Sequence, residues 1–94
     1  MEKAVKIGDV VISKAGRDKG EYFIVVDSKD GYAIIVDGKT RKVRSPKKKN
    51  VKHLQIVLSG VEEELALRIL KGEPVGNERV KDRIKSQKQK IQED

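Results

Sequence analysis

Residues 39–52, KTRKVRSPKKKNVK, hold eight cations and no acid. Ammonium and guanidinium groups at this density suit one chemistry above others, the neutralisation of phosphate oxygens. Lysine acts there as a compact point charge, arginine as a planar fork that grips two oxygens at once. Lys39, Arg41, Lys42 and Arg44 alternate imperfectly along an extended stretch, with Lys42 and Arg44 on the face of Thr40 and Arg41 on the face of Val43. Lys47, Lys48, Lys49 and Lys52 follow in a segment that reads as a loop. A solvated loop is the simplest account of any charge run. This run has no acid to relieve its self-repulsion, which favours a surface built to contact phosphate.

A shorter basic segment precedes it. In SKAGRDKG, residues 13–20, Lys14, Arg17 and Lys19 are interleaved with Gly16 and Gly20. Glycine accepts positive φ at no steric cost and lets the backbone approach a ligand closely. Arg17 is suited to gripping phosphate or stacking on a base, and Lys19 to adding charge. Asp18 is expected to organise the turn through nearby backbone amides. From this loop alone, a hairpin that merely needs glycine explains the residues as well as a binding loop does.

Composition narrows the choice. A chain of 94 residues makes one domain, and only 36% of it is apolar. A substrate pocket would consume most of so small a core, so a non-catalytic protein is expected. The chain has no cysteine, which excludes disulfides and thiolate metal sites. His53 is the single histidine and cannot anchor zinc alone, so it reads as a barrel-edge residue and no metal or cofactor is expected. KAGRDKG lacks the spacing of a phosphate-binding P-loop. No run approaches the ~20 apolar residues that span a bilayer, and no signal peptide opens the chain, so a soluble cytoplasmic protein without membrane contact is expected.

The net charge of +7 is unevenly spread: residues 1–54 carry all of the excess and residues 55–94 balance to zero. Such a field attracts polyanions. Tyr22, Phe23 and Tyr32 are the only aromatic residues, with Phe23 expected in the core. Three rings are too few to read a single strand by serial stacking. Recognition of folded RNA through backbone and shape fits better.

Strands are expected at Val5–Ser13, Tyr22–Asp27, Tyr32–Val36, Thr40–Arg44 and His53–Leu58. Asp30-Gly31 and Asp37-Gly38 mark tight turns between them, and Pro46 bars the fourth strand from continuing as a central one. Five short strands closely spaced by turns predict a small antiparallel barrel over residues 1–58, closed so that no edge is left open. A packed helix is expected over 59–72. Ser59 and Glu62 have capping-box spacing, Val61, Leu65 and Ile69 share a face, and Gly72 and Pro74 end it. Residues 73–94 form a tail, helical or disordered, with little to bury.

GDVVISKAGRDKGEYFIVV resembles a KOW motif, an apolar strand, a basic glycine loop and a second apolar strand, with Gly20 as the motif glycine. SKAGRDKG with IVVD, IIVDGKTRKV and KKKNVKHL is similar to one ribosomal protein family. It is the fourteenth protein of the archaeal and eukaryotic large subunit, with its short bacterial KOW relatives. The resemblance covers residues 7–58, roughly half the chain. It implies an SH3-like barrel that binds RNA, ribosomal RNA or the large ribosomal subunit above all. Under it, Lys14, Arg17, Lys19, Lys39, Arg41, Lys42, Arg44, Lys47–Lys49 and Lys52 are expected to contact RNA, with Gly16 and Gly20 shaping the loop. The alternative is a protein-interaction module of a transcription or translation complex, working through the helix and the tail residues Val80, Ile84 and Ile91.

Overall fold

Asp30 and Gly31 both take positive φ, 52° and 81°, as a two-residue type I′ turn requires. Strand β2 (Tyr22–Lys29) therefore folds straight back onto β3 (Tyr32–Val36), with Lys29 opposite Tyr32. The computed structural model describes residues 4–92. Strands β1 (Val10–Ser13), β4 (Lys47–Asn50) and β5 (Leu54–Leu58) complete an antiparallel sheet in the order β4-β3-β2-β1-β5.

β4 and β5 lie at opposite edges of this sheet, yet only the 3₁₀ turn Val51–His53 separates them. A flat sheet would hold its outer strands about 19 Å apart, four spacings of ~4.8 Å. A 3₁₀ turn advances only about 2 Å per residue. The sheet must curl to reconcile the two. Inside the curl, Val11, Phe23, Val25, Ala33, Ile35 and Leu54 form a cluster contributed by strands alone.

The other face is covered by helices. Val10, Ile24, Val26 and Val36 pack against Leu65 and Ala66 of α1 (Glu63–Leu70) and against Val80 and Ile84 of α2 (Asn77–Gln92). β2 is thus buried on both faces, which is why YFIVV reads as a continuous apolar run rather than an alternating one. Gly8 lets this layer close: its φ is +89°, and a Cβ there would sit 2.4 Å from Glu63 Cα.

Four expectations need correction. The sheet is not closed into a barrel; among the described residues β4 and β5 share no ladder, because the 3₁₀ turn carries the chain across the gap without pairing the edges. Thr40–Arg44 is not a strand. Asp37 Oδ1 accepts the N–H groups of Lys39 and Arg41, and Oδ2 accepts the Thr40 hydroxyl, so the segment winds into turns. The fourth strand is instead Lys47–Asn50, the stretch expected to be a loop. Ser59 does not cap α1. Its hydroxyl faces Asp9 Oδ1 at 3.4 Å, Glu62 takes the cap position without a side-chain cap bond, and the Glu62 carboxylate turns to Arg83 and Gln87.

The C-terminal stop of α1 is as expected. Gly72 takes φ +81°, and the amides of Gly72 and Glu73 return to the carbonyls of Ile69 and Arg68, a Schellman closure. Residues 77–92 are helical and packed, so of the two states expected for the tail the helical one is found there. Among the described residues no helix is long and apolar enough to cross a membrane.

Candidate functional site

Loop 14–21 joins β1 to β2, and its backbone is closed on itself. Gly20 N–H donates to Ser13 C=O, Lys19 N–H to Gly16 C=O and Glu21 N–H to Asp18 C=O. Gly16 and Gly20 take φ of +87° and +89°, and a Cβ at either would meet no close neighbour. Glycine is needed here for backbone conformation, not for room.

Asp18 fixes the loop to the rest of the domain, though not through backbone amides as expected. Its Oδ1 accepts from the Ser13 hydroxyl at 2.7 Å and from Lys49 Nζ at 2.5 Å, and Oδ2 lies 3.3 Å from Lys47 Nζ. Lys49 Nζ also donates to Ala15 C=O at 2.9 Å. Burial by itself would raise the Asp18 pKa. The hydrogen bonds from Lys49, Ser13 and Lys47 outweigh it and hold the carboxyl well below the usual carboxylate range. Asp18 therefore stays ionised, and its charge is spent inward. The exposed flank of the loop presents Arg17 and Lys19 without a competing acid between them.

The expected contact residues divide into groups. Lys14, Arg17 and Lys19 are exposed on the loop, and Lys47 is half-buried beside them. Lys52 joins this group, because the neighbouring His53 carbonyl accepts the Lys14 N–H at 2.8 Å. Lys49 does not belong to the exposed set. It is 7% exposed and its ammonium is consumed by Asp18 and Ala15. Alternation along β4 explains this: Lys47 and Lys49 pair with Ile35 and Ala33, whose side chains fill the curl, whereas Lys48 turns to the other face. There Lys48 Nζ sits 4.5 Å over the Tyr32 ring. Lys39 is drawn toward α2, and Arg44 lines a groove with Ile69 and Asn77. Lys42 is exposed in the 42–45 turn, and Arg41 is half-buried with its carbonyl bonded to the Asp37 and Gly38 amides.

No protein-family model matches the chain. The chemistry of this surface accordingly rests on its own residues.

Reading by sequence halves missed a third basic element. Residues 55–94 are neutral as a block, but α2 holds six cations against two acids, while Glu62, Glu63 and Glu64 sit together at the start of α1. The spacing Lys81, Lys85, Lys88 was the available signal, since such positions share one side of a helix. The tail residues expected to serve a protein partner are committed elsewhere: Val80 and Ile84 are buried against the sheet, and Ile91 is half-buried.

Proposed function

We propose that the protein is a non-catalytic RNA-binding module, an SH3-like domain of KOW type whose ligand is folded RNA, with large-subunit ribosomal RNA the foremost candidate. The steep curl of the five-strand sheet and its strand-only inner cluster support the SH3-like reading. One observation carries the functional reading: Asp18 neutralises itself inward against Lys47 and Lys49, leaving Lys14, Arg17, Lys19 and Lys52 outward around one preorganised loop. A fixed loop loses little entropy on binding, so its cations serve phosphate oxygens efficiently. Tyr22 and Tyr32 each have a lysine ammonium over the ring, which favours backbone and shape recognition over base stacking.

The test is binding of transcribed large-subunit ribosomal RNA across a salt series, with duplex DNA as comparison. Arg17→Gln/Lys19→Gln/Lys52→Gln is expected to make the dependence of log K on log salt shallower by about 2–3, roughly 0.7–0.9 for each phosphate no longer neutralised. An unchanged slope overturns the assignment, and equal affinity for duplex DNA overturns the preference for RNA.

A further inference from the structure

Helix α2 is oriented by what it buries. With Val80 and Ile84 turned into the core, Lys81, Lys85 and Lys88 form a row over about 10 Å of helix axis. The row borders a groove whose other wall is Tyr22 and Lys39. Lys88 Nζ lies 5.1 Å from the Tyr22 ring centroid. The wall near Lys39 is held tightly: a Cβ on Gly38 would lie 2.4 Å from Asn77 O and 3.1 Å from Lys81 Cγ.

Lysines outnumber acids in the groove: Lys39, Lys81, Lys85 and Lys88 line it with Glu21 and Asp37, and the Asp37 carboxylate is committed to its own turn. Lys81 pairs with Glu78 at 3.0 Å. Among the described residues, no acid forms a salt bridge with Lys39, Lys85 or Lys88. The groove is also contiguous with the loop. Tyr22 opens β2 directly after it, and Lys39 follows β3 at the same end of the antiparallel sheet.

We propose that α2 is a second arm of the RNA interface, with Lys39, Lys85 and Lys88 holding phosphates of the same folded RNA that loop 14–19 grips. This inference rests on the RNA-binding reading above. An acidic peptide is the other polyanion of suitable charge. The two apolar residues of the groove are not free to anchor one, because Ile84 is buried in the core and the Tyr22 ring already carries the Lys88 ammonium. A row of lysines spaced about one helical turn apart matches a repeating charge such as a phosphodiester backbone.

The experiment uses the full chain and transcribed large-subunit ribosomal RNA, comparing wild type, Arg17→Gln/Lys19→Gln and Lys39→Gln/Lys85→Gln/Lys88→Gln. The triple variant is expected to bind on the order of a hundredfold more weakly near 0.1 M salt, with a slope shallower by about 2–3. Lys39, Lys85 and Lys88 are all exposed, so its circular dichroism and melting should match wild type. Lys39→Arg/Lys85→Arg/Lys88→Arg should keep the slope, which separates charge from any loss of fold. If the loop variant loses affinity while the triple glutamine variant keeps wild-type slope, the α2 arm is overturned and the loop assignment stands. If wild type fails to bind RNA, both fall together. Competition by polyglutamate as effective as that by RNA overturns the choice of ligand.

Discussion

Lys49 on the outer strand β4 reaches Asp18 on the β1–β2 loop, thirty-one residues earlier, and the two charges meet at 2.5 Å with both side chains largely buried. A lysine from the most basic run of the chain is therefore spent on holding a loop in place. The same pair explains why that loop contains an acid at all. Asp18 anchors it from below and leaves its neighbours to face outward.

Removing one member of this pair should cost more than removing both. Asp18→Asn strands the Lys49 ammonium in a buried site, a loss of about 3 kcal/mol, set against a total stability of roughly 5–15 kcal/mol. Asp18→Asn/Lys49→Met should recover much of it, because an apolar side chain suits the neighbouring Ala33 and Ile35. Urea midpoints of the single and double variants check this. A double variant less stable than Asp18→Asn would contradict the buried-pair account.

The pH dependence follows from the same carboxylate. Its folded pKa lies below the ordinary value of 3.8, so near and below that value the unfolded chain binds more protons than the folded one and stability rises with pH. The contribution is complete above about pH 5 and is lost as pH falls through the unfolded and then the folded pKa. Arg83, raised by its hydrogen bonds to Glu62, keeps its stabilising charge until pH climbs past the arginine range. Denaturation midpoints should be flat between about pH 5 and 8 as far as these two groups are concerned, and should fall more steeply below pH 4 in wild type than in Asp18→Asn.

Two glycines with the same φ of +89° should respond differently to alanine. Gly20→Ala bears only the left-handed backbone cost of about 1–2 kcal/mol, since its Cβ meets nothing. Gly8→Ala bears that cost and a 2.4 Å collision with the Glu63 backbone, so it should be the more destabilising by a wide margin. Thermal melting of the two variants side by side settles the comparison.

The C-terminal helix should behave as part of the core. Ile84→Ala is expected to lose about 2–4 kcal/mol through the cavity it leaves among Val36, Leu65 and Val80. Deleting residues 77–92 should unfold the domain rather than trim it. A truncated chain with a cooperative, wild-type melt would disprove this.

Legibility in the sequence followed the range of the interaction. Asp30-Gly31 and Gly72 were readable because a positive φ is a local demand that the residue itself announces. Strands β2 and β3 were readable from their apolar runs. Thr40–Arg44 was misread because the Asp37 side chain, not the periodicity of the segment, decides its conformation. β4 was missed because KKKN has no apolar face, as an edge strand need not. Nothing local to Lys49 could reveal its burial, since the partner lies on a distant loop. The Lys81–Lys85–Lys88 row was present in the sequence but vanished when charge was averaged over forty residues that also hold the acids around α1.

The lysines of β4 have one more effect. Among the described residues β4 is paired on one side only, so its outer backbone amides and carbonyls form a template onto which a foreign strand could add. A second copy docking there would bring Lys47 and Lys48 against the same two lysines. The residues that make this edge basic thereby guard the sheet against growing from molecule to molecule, and a variant neutralised at Lys47 and Lys48 would trade that protection for a flatter, stickier rim.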